Sequence, residues 1–455
     1  MSTIRYPEYK PSGVTWIGEV PSHWSLEKVK QFAQFSGGGT PSRENMAYWN
    51  GELPWVSSKD MKFETIRGAE ESITPEGLAN SSSNEVPVGS LLMVVRSGIL
   101  KHTIPVGITD TPVAVNQDLK VFSFDESRCL APFFLRWVQG LNDQLLLAWS
   151  KQGATVESLE HEYLANTVVP LPDVEEQISI IAFLDREIAK IDALIDEQRR
   201  LITLLDEKRQ AVISHAVTKG LNPDAPRQPS GIEWLGDIPA HWSVEPLKYS
   251  ISKIGQGWSP QCDSEPAPEG EWGVLKLGCV SGNAFDPSEQ KALPSELTAP
   301  PEYEVRAGDV LVSRGNTREL VGMSTYVPEV RPRLLLSDLL YRFQAKSTRA
   351  AGEFLAIALR SASSRFQIER EAEGTSHSMK KIGQNDLRNL RLGVPPLEEQ
   401  HVIVARLRDL TASLDILMQE AQRAIALLLE RRAALITAAV TGQIDVRALA
   451  PTEAP

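Results

Sequence analysis

Residues 172–218 read PDVEEQISIIAFLDREIAKIDALIDEQRRLITLLDEKRQAVISHAVT. Along this stretch Ile181, Leu184, Ile188, Ile191, Ile195, Gln198, Ile202, Leu205, Arg209, Val212 and Ala216 advance in alternating steps of three and four. That spacing is the a/d seam of a coiled coil, so one long helix is predicted. The same seam returns 223 residues later as Val404, Leu407, Thr411, Leu414, Met418, Ala421, Ile425, Leu428, Arg432, Leu435 and Ala439. At 1.5 Å per residue, each helix is a rod of roughly 65–70 Å. A helix with so long an apolar stripe does not stay bare in water, so the two are expected to pack on each other. A compact domain between them lets them run antiparallel, with polar Arg209, Arg432 and Gln198 fixing register and Thr411 and Ala421 doing so more weakly.

A second repeat precedes each variable region. Residues 11–30, PSGVTWIGEVPSHWSLEKVK, match 229–248, PSGIEWLGDIPAHWSVEPLK, at a shift of 218. Repeated ends around diverged middles describe a duplicated frame, not a solenoid of short repeats. The middles carry short strand and turn signals with one or two helices each. In the first these are SGGGTPS (36–42), YWNGELPWVSSKDM (48–61), GSLLMVVRSG (89–98) and a helix over 130–150. In the second they are SKIGQGWSPQ (252–261), AGDVLVSRGNTRELVG (307–322) and a helix over 350–370. The expected fold class is α+β: two mixed α/β domains in a pseudo-two-fold arrangement, separated by two long antiparallel helices. The boundaries read as a first domain over 1–171, a helix over 172–218, a linker over 219–228, a second domain over 229–394, a helix over 395–441 and a tail over 442–455.

Length and composition agree with more than one core: 455 residues, 42% hydrophobic and 23% charged. The N-terminal residues lack an apolar signal core, no run approaches a membrane span, and three scattered cysteines offer neither a disulfide frame nor a zinc site. A cytoplasmic protein is expected. The net charge of −12 hides a gradient. Residues 221–305 hold 5 Lys/Arg against 13 Asp/Glu, whereas 306–391 hold 15 against 9. A local basic surface is what phosphate contact needs, whatever the total.

Taken together, the two W-(I/L)-G-x-(V/I)-P-x-H-W segments, GGTPS with YWNGELPWVSSKDM, GDVLVSRG, and the Glu-Glu-Gln openings of both long helices (175–177 and 398–400) resemble one known family. It is the specificity subunit of type I restriction–modification systems. The resemblance covers nearly the whole chain. It implies two target-recognition domains, each reading half of a split DNA site, with the helices as a ruler between the half-sites. It implies as partners double-stranded DNA, two methyltransferase (modification) subunits and restriction (helicase–nuclease) subunits. S-adenosylmethionine would belong to the methyltransferase, leaving no cofactor in this chain. The second domain departs from the pattern with GQGWSPQ where the first has GGGTPS, which bears on the half-site sequence and leaves the role intact. A coiled-coil adaptor that never touches DNA is the competing reading.

Catalytic chemistry finds no purchase. The sequence has no phosphate loop, no adenine-methylation motif and no histidine–carboxylate set at metal spacing. Residues 37–40 read as a turn, His23 and His241 as buried structural histidines, and Glu175–Glu176 and Glu398–Glu399 as helix caps. An autonomous restriction enzyme is therefore disfavoured. Base reading calls for Arg or Lys forks and Asn or Gln amides, with small hydroxyls and lysines for phosphates. The loops of the first domain offer Ser42, Arg43, Ser58, Lys59, Arg96, Ser97, Lys101, His102 and Lys151. Those of the second offer Gln256, Ser259, Gln261, Arg314, Asn316, Arg318, Ser376, His377, Lys380 and Lys381. Arg96 and Arg314 rank first, at near-equivalent strand ends. On the helices, Ile180, Phe183, Leu194, Leu201, Leu204, Ile213, Ile403, Leu417, Leu427 and Ile436 lie off the seam, to be covered either by the recognition domains or by a docked methyltransferase.

Overall fold

The computed structural model of the chain describes residues 5–447, apart from 152, 154–155, 263 and 377–378. The long helices form where the seam requires them, at Val174–Lys219 and Leu397–Val440. Every seam position is buried or half-buried, while intervening Asp196, Glu197, Arg199 and Arg200 are exposed. The chain divides into two compact units, and the division falls inside the helices, after Gln198 and after Gln422. Each unit thus holds one globular α+β domain and one end of each helix. No helix of the described residues is long and apolar enough to cross a membrane.

In the first unit a five-stranded sheet runs in the order Ala33–Gly37, Leu119–Phe124, Leu91–Val94, Val106–Thr109, Thr65–Ile66. Its central strand, Leu91–Val94, is wholly buried, which fits its unbroken apolar run. A four-stranded sheet runs in the order Ser72–Ile73, Trp49–Val56, Val113–Val115, Glu85–Val86. The core joins Phe122, Phe133, Phe134, Trp137 and Trp149 to Ile180, Leu184 and Ile188 of one long helix and Ile436 and Ala439 of the other. In the second unit the corresponding sheet is Gly255–Gln256, Leu340–Gln344, Asp309–Ser313, Ser324–Tyr326, with a three-stranded sheet of Gln290–Ala292, Gly273–Leu275 and Leu334–Leu335. Its core joins Phe343, Phe354 and Leu355 to Ile213, Ile403 and Leu407.

The two predicted single helices are each broken in two. Residues 130–150 form Ala131–Gly140 and Asn142–Trp149, and the Gly140 carbonyl accepts from Thr437 Oγ1 of the second long helix. Residues 350–370 form Gly352–Leu359 and Ala362–Glu371, where Ser361 Oγ caps the second piece by accepting from Ser364 N–H. In both cases a polar contact at the break replaces continuation of the helical ladder.

The repeated Trp-Gly…Pro-x-His-Trp segment joins the ends of the two helices. In the first unit His23 Nε2 lies 2.8 Å from Glu176 Oε2 at the start of one helix, and Tyr6 Oη donates to Glu176 Oε1 at 2.6 Å. Gly442, just past the end of the other helix, sits at φ +72°; a Cβ there would lie 2.2 Å from Pro21 and 3.2 Å from Trp24. Only glycine fits a left-handed helix end pressed so closely on a ring. Tyr9 Oη donates to the Gly442 carbonyl at 3.0 Å, so the N-terminal segment closes over the same place. In the second unit His241 Nε2 lies 2.7 Å from Glu399 Oε2, and Gly220, at φ +76°, lies against Trp242 and Pro239.

Two sequence-based assignments change here. His23 and His241 are not buried, with 42% and 50% of their side chains exposed. They are held by carboxylates instead. Asp173 Oδ1 caps the helix by accepting the Glu176 N–H at 2.8 Å, while the Glu176 carboxylate turns away from its own helix start to grip Tyr6 and His23. Burial together with that carboxylate raises the Tyr6 hydroxyl above its ordinary pKa, so it remains a donor.

Within each unit the helix segments run antiparallel, pinned by the seam arginine of one on an aspartate of the other. Arg432 Nε lies 3.1 Å from Asp192 in the first unit, and Arg209 Nε lies 3.2 Å from Asp415 in the second. Next to Glu176 and Glu399, at the helix starts, stand buried glutamines. Gln177 accepts from Leu130 N–H at 2.8 Å and donates to the carbonyls of Arg128 and Pro172. Gln400 accepts from Ala351 N–H at 2.9 Å and donates to Arg349 and Pro395. Each thereby satisfies three backbone groups that have no helical or strand partner. Gln400→Leu should strand all three and lower stability by about 3 kcal/mol. Urea unfolding of the full-length chain checks this, and an unchanged midpoint would show that the amide is dispensable.

Candidate nucleic-acid interface

The glycine-rich loops occupy the same place in each unit because of one close approach. A Cβ on Gly38 would lie 1.9 Å from the Val115 carbonyl oxygen, and one on Gly257 would lie 1.9 Å from that of Leu336. The following amides, Gly39 N–H and Trp258 N–H, donate to those same oxygens at 3.0 and 2.9 Å. GGGTPS and GQGWSPQ therefore superpose residue for residue, with Gly37 against Gln256 and Thr40 against Ser259. Each loop rests on the bend that follows a buried strand. Thr40 Oγ1 donates to Gln117 at 2.6 Å, and Asp338 N–H donates to Ser259 Oγ at 3.0 Å.

In the second unit three of the candidates, Gln256, Ser259 and Arg314, converge on that bend. Gln256 Nε2 and Arg314 Nη1 both donate to the Asp338 carbonyl, at 3.1 and 3.4 Å. Beyond Arg314 the chain enters a small sheet of Gly315–Asn316, Met379–Lys381 and Glu373–Ser376. Asn316 there faces Lys380, and Gly315 faces Lys381. Lys380 Nζ donates to the Gly374 carbonyl at 2.6 Å, Arg318 pairs with Glu369 at 3.1 Å, and Gln261 and Lys381 are exposed. Ser376 belongs to the last strand, whereas His377 lies outside the described residues.

In the first unit the candidates fall into two groups. Arg96 and Ser97 lie along the returning segment 156–159: Arg96 bridges to Ser158, and Ser97 N–H donates to the Glu157 carbonyl at 3.0 Å. Lys151 N–H also reaches Ser158, and its ammonium pairs with Glu160 at 3.5 Å. Ser97 caps the turn Gly98–Lys101, which leaves Lys101 and His102 exposed. The second group surrounds Arg43, whose guanidinium lies 4.0 Å from the Trp49 ring and 5.2 Å from Trp55 and forks onto both Glu71 oxygens. Ser42 supplies a carbonyl to Trp49 Nε1 at 3.1 Å, Ser58 is half-buried and Lys59 is exposed. With its fork already filled, Arg43 acts as a brace for this edge of the loop more than as a free donor.

Arg96 and Arg314 are not equivalent side chains. Val95 N–H and Arg314 N–H make the matching bonds, to Asp118 and Leu339 carbonyls, both at 2.8 Å. Arg96 thus corresponds to Gly315, and strand alternation turns the two arginines to opposite faces. Arg96 approaches Asp118 at 3.9 Å; Arg314 lies half-buried over Asp338. The same register sets Glu157 against Lys380 and Ser158 against Lys381. Gln117, Asp338, Glu71 and Glu157 were missed by sequence reasoning, although aligning NQDLKVF (116–122) with SDLLYRF (337–343) would have marked the first two.

The description "Type I restriction modification DNA specificity domain" belongs to a family whose sequence model matches residues 21–203 and 267–425. The chain belongs to that family. It is 31% identical over 189 residues to the specificity subunit of the type I restriction enzyme EcoEI of Escherichia coli, covering 41% of this chain and 32% of that one. It is 32% identical over 157 residues to that of EcoR124I/EcoR124II, also of Escherichia coli, covering 34% and 39%. The chain thus spans little more than a third of the length of these two curated relatives. The MjaVIII specificity subunit of Methanocaldococcus jannaschii matches at 22% identity over 450 residues, 94% of this chain and 95% of that one. One chain of a solved structure described as the basis of complex assembly and conformational transition of the type I R-M system has this fold. It superposes with a TM-score of 0.67 at 16% identity, covering 92% of this chain and 98% of its own length.

Of the off-seam apolar residues on the helices of this specificity-family chain, half are not available to a partner. Ile180, Phe183, Ile213, Ile403 and Ile436 are buried in the core of their own unit. The heptad describes one stripe, and the recognition domain covers the stripe beside it near each helix end. Leu194, Leu201, Leu204, Leu417 and Leu427 remain exposed, between 41% and 60%, together with Ile416 at 59%.

The close approach of the glycine-rich loop is directly testable. Gly257→Ala should push the loop off residues 336–338 and cost about 1–3 kcal/mol, as overpacking does. Chemical denaturation checks it, with Gly282→Ala as the control, since a Cβ there meets nothing nearer than 3.7 Å.

Proposed function

We propose that this chain is the DNA-reading specificity subunit of a type I restriction–modification complex. Each unit reads one half of a bipartite, asymmetric site, and the long helices set the gap. The observation that carries the reading is one loop framework built twice, with different polar residues at matching places. Lys380 and Lys381 stand where the first unit has Glu157 and Ser158, and Gln256 stands where it has Gly37. Different donors and charges on one frame are what two unlike half-sites require. The chain supplies no chemistry of its own in this reading. The exposed Leu194, Leu201, Leu204, Leu417 and Leu427 would receive two methyltransferase subunits, which carry the S-adenosylmethionine, and restriction subunits would join for cleavage. Such a complex would work in the cytoplasm.

The reading makes two checks. With its methyltransferase partner, the chain should protect a split sequence, and one continuous footprint would overturn the proposal. Replacing Lys380 and Lys381 by alanine should weaken binding across sequences and reduce the slope of log K against log salt by up to about 2. Arg314→Ala should cost about 1–3 kcal/mol and relax preference in one half-site only. An adaptor that never reads DNA would show neither effect. Secondly, four extra residues at Gln198 and four at Ala421, about one turn each, keep the seam near phase. Footprints of that variant should show a changed gap between unchanged half-sites.

A further inference from the structure

The seam arginines differ in what surrounds them, and the difference leaves one of them short of an anion. In the first unit Arg432, besides Asp192, approaches Glu64 Oε1 at 3.5 Å. The same carboxylate oxygen accepts from Arg136 Nη1 and Gln139 Nε2, both at 2.8 Å. Burial would raise the Glu64 pKa, but Arg136, Gln139 and Arg432 outweigh it and hold the carboxyl below its ordinary value. One built-in carboxylate therefore closes this polar cluster.

In the second unit Asn283 takes the place of Glu64, accepting from Arg209 Nη1 at 2.6 Å. Counting from the amides held by the buried glutamines, Leu130 and Ala351, the residue matching Gln139 is Arg360. A neutral amide thus replaces the carboxylate, and a guanidinium replaces the neutral amide. Arg360 Nη1 reaches only the carbonyls of Gly282 and Ser324, at 2.6 and 3.4 Å, and no carboxylate pairs with it among the described residues. Asp415 faces Arg209, as Asp192 faces Arg432, so it does not substitute for the missing Glu. Glu353 is taken up by Arg408 at 2.9 Å, Glu329 is exposed, and Asp206 acts on Arg360 without pairing with it, too weakly to offset burial and the neighbouring arginines. The two arginines line a cleft of about 730 Å³ whose walls include Phe285, Tyr326, Ile357 and Leu407. That volume suits a small ligand, and the lining mixes the apolar residues with charged ones, among which Arg408 and Asp415 are already engaged with Glu353 and Arg209.

We propose that this cleft binds a small oxyanion-bearing ligand, a carboxylate or phosphate on an apolar or aromatic body, with the anion received between Arg209 and Arg360. The anion supplies the charge that Glu64 supplies in the first unit, beside the Asn283 amide that already accepts from Arg209, and the body lies on Phe285 and Tyr326. A guanidinium is retained in such a place at a desolvation cost that a charge-assisted bond offsets. The strain on Arg360 is in keeping with this: burial, with Arg209 and Arg365 nearby, pushes its pKa down to about 10.

The test titrates the full-length chain calorimetrically with three probes: phenyl phosphate, phenylacetate and inorganic phosphate. Either phenyl compound should bind more tightly than inorganic phosphate, and whichever leads identifies the preferred anion. Arg360→Gln should weaken that binding by about tenfold or more. Asn283→Glu, which restores the carboxylate of the first unit, should abolish it and raise the thermal midpoint. The proposal is overturned if neither phenyl compound binds at millimolar concentration, or if both variants bind as the unaltered chain does. Because the probes contain no DNA, this outcome is separate from the fate of the proposed function.

Discussion

A helix of 46 residues with an apolar stripe down its length cannot face water alone, and the need to cover that stripe shapes everything else in the chain. The second helix supplies one cover, the recognition domains supply another near the ends, and polar groups decide the alignment. Arg209 with Asp415 and Arg432 with Asp192 are the places where sliding by one turn would leave a guanidinium against aliphatic side chains. A seam of leucines alone would tolerate several registers; this one does not.

The helix ends are where the duplicated sequence does most. The Trp-Gly…Pro-x-His-Trp segment touches the beginning of one long helix through His23 or His241 and the end of the other through Trp24 or Trp242. The paired Glu and Gln at each helix start complete the joint, one gripping the histidine and the other satisfying stranded backbone groups. Placement of the recognition loops follows from this joint, since the strands that carry them begin directly after it.

The helices, their seam and the duplicated plan were legible because period and repetition survive without knowledge of tertiary contacts. The roles of His23 and Glu176 were not, because a carboxylate at a helix start serves the cap equally well until the distant Tyr6 and His23 are seen to hold it. Ile180 and Ile403 were open between cover by the chain's own domains and by a partner for a similar reason: a heptad marks which residues share a stripe, not which neighbour lies over it. Arg96 and Arg314 were paired by their motifs, yet the hydrogen-bond register sets them one residue apart, and in a strand that reverses the face. Loop readouts such as the gathering of Gln256, Ser259 and Arg314 on Asp338 depend on chain segments up to 82 residues apart, and local pattern has no access to them.

The bond from Tyr9 to the carbonyl of Gly442 has a topological meaning. At this point the chain's first strand lies beside the end of its last helix, in the place where the other copy has an unbroken peptide running from Lys219 through Gly220 to the strand Arg227–Pro229. The two junctions are thus built on one plan, one tied by the Tyr9 hydrogen bond and the other by the peptide itself.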